Sequence, residues 1–230
     1  MKNLAIIPAR GGSKRIPKKN IKDFLGYPII KYSIAAAKKS KCFDEVMVST
    51  DSVEIAKVAK KYGGKIPFMR SEGKSQDKST LAEVLLEVLN DYKKIGKNFD
   101  YICCILPAAP LILPDKISQG LKLLKKKNAQ ALIPVVAFGY PIQRAFKIKN
   151  DRLKMISPVN INKNSQDLPK AYHDAGQFYW LKTENFLKEK KLFANDLMAL
   201  EIPESQSQDI DVEEDLKIAK LKYKLLSDEN

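Results

Sequence analysis

Two hydrophobic rhythms alternate along the first 138 residues of the chain. Short, nearly unbroken apolar runs at "NLAIIPA" (3–9), "EVMVSTD" (45–51), "DYICCILP" (100–107) and "AQALIPVVAF" (129–138) are separated by longer stretches with apolar residues every three or four positions. Continuous apolar runs of this length predict strands buried on both faces, and the 3.6-residue spacing predicts amphipathic helices. The helices fall at "IIKYSIAAAKKS", "VEIAKVAKKYG", "TLAEVLLEVLNDYKKIG" and "DKISQGLKLLKKKN", the second of them closed by Gly63 and Gly64. "KIPFMR" (65–70) predicts one further short strand. A β-α-β-α succession with such strands implies a doubly wound, mostly parallel sheet with helices on both faces, an α/β fold.

From about Gly139 the rhythm changes. "YPIQRAFKIKNDRLKMI" predicts two extended segments around a polar turn at Asn150 and Asp151, and "SPVNINKNSQDLP" is a polar loop. The chain rejoins the sheet at "GQFYWL", where Tyr179 and Trp180 alternate as core residues, and ends on the helical "VEEDLKIAKLKYKLL". With no internal repeat or low-complexity linker, the 230 residues form one domain, and roughly 139–172 is an excursion from it.

Composition narrows the class. A hydrophobic fraction of 44% beside 30% charged residues is that of a soluble globular protein, and no apolar stretch reaches the roughly 20 residues a membrane helix needs. The N-terminal apolar run is short and meets a charged loop at once, which argues against a signal peptide and for the cytoplasm. Cys42, Cys103 and Cys104 form no C-x-x-C pair, and the last two sit in an apolar strand, so neither disulfide nor zinc is expected. The formal charge of +14 raises the possibility of a basic nucleotide- or nucleic-acid-binding module. The lysines, however, are spread over amphipathic helices without a nucleic-acid-binding motif, as on a solvated surface, and no nucleic-acid partner is expected.

One cluster stands apart from that scatter. "IPARGGSKRIPKKN" (7–20) leaves the first strand at Pro8 and gathers Arg10, Lys14, Arg15, Lys18 and Lys19 around Gly11, Gly12 and Ser13. Ligands of open α/β sheets bind beyond the carboxyl ends of strands, and paired glycines let backbone N–H groups approach an anion that the cations neutralise. A phosphate chain is therefore the expected ligand, against the plainer alternative of a solvated basic turn. Neither G-x-x-x-x-G-K-[ST] nor G-x-G-x-x-G is present. A second cluster, "DID" at 209–211, sets Asp209 and Asp211 at i and i+2. In an extended segment both carboxylates face one side, suited to a hard cation such as Mg²⁺, while Ile210 turns inward; the alternative for Asp211 is to cap the final helix.

The loop resembles the first motif of the acidic-sugar cytidylyltransferases, the family of the CMP-sialic acid synthetases. "VSTDS" (48–52), "RSEGKSQDKST" (70–80) and "SQDIDVEED" (207–215) follow in that family's order, and "NSQDLPKAYHDAGQFYW" (164–180) looks like its pseudaminic acid branch. The resemblance implies a Rossmann-like nucleotidyltransferase fold and a Mg²⁺-dependent transfer of CMP from CTP to a nine-carbon sugar acid, with pseudaminic acid ahead of sialic or legionaminic acid. It also implies a homodimer in which the excursion reaches over the neighbour. Carried over by position, Arg10, Gly11, Gly12, Ser13, Lys14, Asn20, Arg70 and Ser79 fall at the nucleotide, Arg10, Lys14 and Lys19 at the reacting phosphates, and Asp209 and Asp211 at the metal. His173, the sole histidine, falls at the sugar with Gln166 and Gln177, although a lone histidine is also commonly a packing residue. Asn164 stands where an arginine is usual in that branch, and "LPAAP" (106–110) lacks the polar residues of the sialic acid form; Arg144 is the candidate that restores positive charge near the sugar. The sibling reaction on 3-deoxy-octulosonate is the enzymatic rival, against which "YHDAGQFYW" argues.

Overall fold

The computed structural model describes residues 1–71 and 80–228. The chain opens with β1 (Asn3–Pro8), a two-residue hairpin of β2 (Asp23–Phe24) and β3 (Tyr27–Pro28), α1 (Ile30–Lys39), β4 (Glu45–Ser49) and α2 (Val53–Lys61). It continues through α3 (Leu81–Lys94), β5 (Tyr101–Ile105), α4 (Pro114–Lys127) and β6 (Ala131–Ala137). After the excursion hairpin of β7 (Phe146–Lys149) and β8 (Arg152–Met155) come β9 (Tyr172–Asp174), β10 (Phe178–Lys182), α5 (Thr183–Glu189), β11 (Leu197–Glu201) and α6 (Glu213–Asp228).

The main sheet has the order β11-β6-β10-β5-β1-β4, with β9 also paired to β6. The pairings of β1 with β4 and β5, and of β6 with β11, are parallel; β9 and β10 run against their neighbours. Five strands thus share one direction, as the buried apolar runs imply, and the antiparallel β9 and β10 are the segment that returns from the excursion. Two apolar clusters cover the two faces. One takes Ala5, Ile7, Cys103, Ile105 and Trp180; the other takes the alternate residues Leu4, Ile6, Ile102, Cys104 and Tyr179. The period of two along β1, β5 and β10 divides these side chains between faces. Burial pushes the Cys104 thiol up to about 12, and the Cys103 thiol also well above its ordinary range, so both stay protonated hydrophobes.

Local chemistry sets the helix ends. Gly63 at φ +86° and Gly64 close α2, their N–H groups reaching the carbonyls of Lys60 and Ala59. Thr80 and Glu83 form a reciprocal capping box on α3. Gly120 brings α4 onto the sheet: a Cβ there would stand 3.1 Å from both Leu132 and Trp180, whose indole N–H donates to the Ile117 carbonyl at 3.0 Å.

One expected strand is absent. In 65–70 only Lys65 pairs with β4, by an isolated parallel bridge to Met47. Pro67 has no N–H for a ladder, and Arg70 returns alone to donate its N–H to the Thr50 carbonyl at 2.9 Å. The excursion takes the expected form, with β7 and β8 turning at Asn150 and Asp151, both at positive φ. Among the described residues no helix is long and apolar enough to cross a membrane.

Candidate active site

The basic loop leaves β1 at the carboxyl edge of the parallel strands, and its shape follows from one apolar residue among its cations. Ile16 is buried in a third cluster with Phe24, Ile29, Ile210, Leu216 and Ala219. Burying an isoleucine side chain is worth roughly 1.5–3 kcal/mol. Because Ile16 and Ile210 share that cluster, the basic loop and the acidic segment meet across the length of the chain. Arg15 Nη1 donates to one oxygen of Asp211 at 2.7 Å, and its Nη2 lies 2.7 Å from the other. The Lys19 ammonium donates to the Ile210 carbonyl at 2.6 Å and lies 3.6 Å from an oxygen of Asp211. Asn20 is buried and donates to the Arg10 carbonyl at 2.9 Å, closing the loop on itself.

Gly11 is tied to the protein itself. Its N–H donates to the Asp51 carboxylate at 2.8 Å, so it already has an anion from the protein. A Cβ at Gly11 would stand 3.2 Å from the Cβ of Ser52, the N-cap of α2. Close packing against that helix start thus accounts for Gly11, whereas a Cβ at Gly12 would meet nothing within 4 Å.

A cleft of about 330 Å³ opens between the loop, α3 and the β5 end. Arg10, Ser13, Lys14, Arg15, Lys19, Asn20, Arg70 and Asp209 all line it, with Leu81, Val84, Leu106, Pro107 and Ala108 as its apolar wall. Arg70 is anchored from behind: its Nε donates to the Ser49 hydroxyl at 3.2 Å and its Nη2 to the Ser49 carbonyl at 2.8 Å. Burial lowers its pKa while Asp51 and Glu87 work to raise it, so an anion entering the cleft would meet a cation short of solvent. Ser79, also expected at the nucleotide, lies outside the described residues.

Asp209 lines the cleft and Ile210 turns into the core, while Asp211 is not among the cleft-lining residues and its carboxylate meets Arg15 and Lys19. The Asp209 carboxyl is raised above the usual carboxylate range, first by burial and then by the charge of Asp211, against the pull of Lys19. Two neighbouring carboxylates whose charges oppose each other are a fitting donor set for a small, hard divalent cation. Asp211 is not the cap of α6: its own N–H and that of Val212 donate to Asp215 at 2.8 and 2.9 Å, leaving the Asp211 side chain to Arg15. Gly176, at φ +63°, lets the β9–β10 turn pass close to Asp209, where a Cβ would lie 3.7 Å from the carboxyl carbon.

The expected sugar residues do not gather on this cleft. His173 is exposed on β9, edge-on to Phe138 at 5.0 Å, with its Nδ1 against the Asp174 carbonyl at 2.9 Å. Gln177 is 3% exposed and its amide donates to the Gln206 carbonyl, which makes it a packing residue of the turn. Gln166 is exposed in a 3₁₀ turn of the excursion, and Arg144 donates to the Lys163 carbonyl within the same excursion. Sequence reasoning missed two carboxylates. Asp51 orders the basic loop; Asp174 takes the Gly176 N–H at 2.9 Å and the Tyr179 hydroxyl at 2.7 Å, fixing the turn beside Asp209. The available signal was position, since each follows a strand or ends one at the sheet's ligand-binding end.

Comparison with known proteins bears on this arrangement. A family model described as cytidylyltransferase matches residues 4–224. The chain is 42% identical over 226 residues to the pseudaminic acid cytidylyltransferase of Campylobacter jejuni, an alignment covering 98% of this chain and 97% of that protein. It is 33% identical over 227 residues to N-acylneuraminate cytidylyltransferase A of Danio rerio, covering 94% of this chain and 49% of that protein. Among solved structures, CMP:2-keto-3-deoxy-manno-octonic acid synthetase complexed with CTP superposes with a TM-score of 0.73 over the whole of both chains at 19% identity, a likeness of fold.

Proposed function

Since the chain belongs to the cytidylyltransferase family, we propose that it transfers CMP from CTP to the anomeric hydroxyl of a nonulosonic acid, pseudaminic acid, releasing pyrophosphate. The observation that carries the choice of sugar is the 42% identity, maintained over 98% of the chain, to a pseudaminic acid cytidylyltransferase. The cleft suits the first half of the reaction. In this reading Arg10, Ser13 and Lys14 hold the triphosphate, Arg70 approaches it from the opposite wall, and Leu81, Val84 and Leu106 pack against the base and ribose. The anomeric hydroxyl gives up its proton to water as its oxygen bonds to the α-phosphorus, the bond from that phosphorus to the bridging oxygen breaks, and pyrophosphate departs with the electron pair of that bond. Lys19, between the loop and Ile210, neutralises charge as it builds on the leaving group. Asp209 and Asp211 would hold Mg²⁺, which would supply further positive charge to the phosphates.

His173, Gln166 and Arg144 lie apart from the cleft on β9 and the excursion, so in this reading the sugar enters from that side. Tyr140, Phe146, Ile148, Leu153, Val159 and Ile161 are exposed on the same excursion. An apolar surface of this kind supports a homodimer covered by the excursion. Use of CTP supports a cytoplasmic setting, where nucleoside triphosphates are made.

The test is pyrophosphate release from CTP with pseudaminic, N-acetylneuraminic and legionaminic acids in turn, with Mg²⁺ and with chelator. Pseudaminic acid should show the highest kcat/KM, and chelator should abolish turnover. Release with none of the three overturns the reaction, equal values for all three overturn the choice of sugar, and turnover in chelator overturns the metal.

A further inference from the structure

Arg15 occupies an unusual place in this site. It lines the cleft that is proposed to take the triphosphate, yet its guanidinium is spent on Asp211, one of the two carboxylates proposed for the metal. Its Nη1 donates to one Asp211 oxygen at 2.7 Å and its Nη2 lies 2.7 Å from the other, so the guanidinium faces both oxygens. The Arg15 side chain is 67% exposed, whereas that of Lys19, the other cation on this segment, is 25% exposed and tied to the Ile210 carbonyl at 2.6 Å. Exposed ion pairs are worth little, about 1 kcal/mol at most, so of the two cations Arg15 is the one that can leave.

A guanidinium fork fits a phosphate as well as it fits a carboxylate. We propose that Arg15 is an exchangeable partner of Asp211 that makes metal binding conditional on nucleotide binding: it guards the carboxylate in the empty protein and passes to a phosphate oxygen when the triphosphate enters. The inference rests on the nucleotide and metal reading of the cleft given above. Without nucleotide, a cation drawn to Asp211 competes with the Arg15 guanidinium for the same negative charge. With nucleotide, the guanidinium has an acceptor of equal geometry, and Asp211 becomes available as the phosphate arrives. The two ligands are thereby positively coupled, and the coupling acts in both directions.

The experiment measures Mn²⁺ binding to the full-length, nucleotide-free protein from the electron paramagnetic resonance signal of the free ion, with no turnover involved. Arg15→Gln should bind Mn²⁺ about two- to fivefold more tightly than the wild type, the range expected on removing one exposed ion pair. Arg15→Lys, which keeps the charge and loses the fork, should shift affinity in the same direction by less. In an Asp211→Asn background, Arg15→Gln should give no gain relative to Asp211→Asn alone, and this comparison makes the result specific to the pair. Thermal melting of each variant establishes that it is folded, and Arg15→Lys stands in if Arg15→Gln is not. Unchanged affinity in Arg15→Gln, or a gain that survives Asp211→Asn, overturns the proposal. Calorimetric titration of the wild type with CTP and Mg²⁺ separates the two levels of inference. CTP binding without any Arg15 effect on Mn²⁺ refutes the exchange alone, and absence of CTP binding refutes the reading of the cleft on which it stands.

Discussion

Replacing Lys19 by methionine keeps most of the side-chain stem and removes the ammonium, so it isolates what that charge does. The structure gives it two tasks. At 2.6 Å from the Ile210 carbonyl and 3.6 Å from Asp211, it ties the basic loop to the acidic segment; it also faces the cleft in which phosphate charge would develop. A hydrogen bond from a charged donor contributes roughly 1.5–3 kcal/mol, and the lower end applies because a quarter-exposed side chain lets water reach the vacated carbonyl. Loss of ~1.5 kcal/mol lowers Tm by about 3–6 °C in a domain of this size. The catalytic effect should be larger. Removing one preorganised electrostatic contact costs ~3 kcal/mol in the transition state, which is on the order of 150-fold in kcat/KM. Pyrophosphate release and thermal melting on the same preparation separate the two, because at assay temperature the variant stays almost wholly folded. If kcat/KM is unaltered, or if lost activity follows the unfolded fraction alone, Lys19 is a structural tie and not a phosphate residue.

Two further outcomes are expected. Burial works to raise the Glu45 pKa, but the Tyr92 hydroxyl at 2.5 Å and Lys97 and Lys65 outweigh it, so the folded pKa lies below the unfolded one; this group adds stability above the unfolded value and loses it as pH falls through the folded value. Glu45→Gln should therefore cost about 1–2 kcal/mol in denaturant unfolding at pH 7 and progressively less on acidification, and a difference that does not vary with pH contradicts the assignment. Ile148 and Leu153, paired across β7 and β8 and exposed, should hold the proposed dimer; Leu153→Glu should halve the mass measured by light scattering, and a wild-type protein monomeric at every concentration removes the dimer.

The fold was readable where burial was complete. Residues 101–105 and 131–136 are buried without interruption, and an unbroken apolar run has little to become except a two-sided strand. The 65–70 segment misled because apolar content alone says nothing about hydrogen-bond supply: Pro67 lacks a donor, and one bridge at Lys65 is all that forms. At the site, the motif brought Arg10, Ser13, Lys14, Lys19, Asn20, Arg70 and Asp209 to one cleft. The pairing of Arg15 with Asp211, 196 residues apart, had no local signature. Its cause is the joint burial of Ile16 and Ile210, each an apolar residue among charged neighbours, and a lone apolar residue in a polar loop does not name its partner. Gln177 shows the converse: a polar residue in a ligand-binding segment whose amide serves the backbone.

The basic loop poses an electrostatic problem that its surroundings solve before any ligand arrives. Cations this closely spaced repel one another, and the structure sets a carboxylate against several of their positions: Asp51 on the Gly11 N–H, Glu54 on Lys18 at 2.7 Å, and Asp211 on Arg15 and Lys19. Asp51 comes from the β4–α2 junction, Glu54 from the first turn of α2 and Asp211 from the segment before α6. A loop neutralised in this way is ordered without ligand and attracts a single phosphate only weakly, since each new contact displaces an existing one. In the proposed reaction a triphosphate would replace several contacts at once, and a metal travelling with it would offset the carboxylates that are uncovered. Selection for a polyphosphate carrying its own cation would then follow from the acids around the loop as much as from the cations within it.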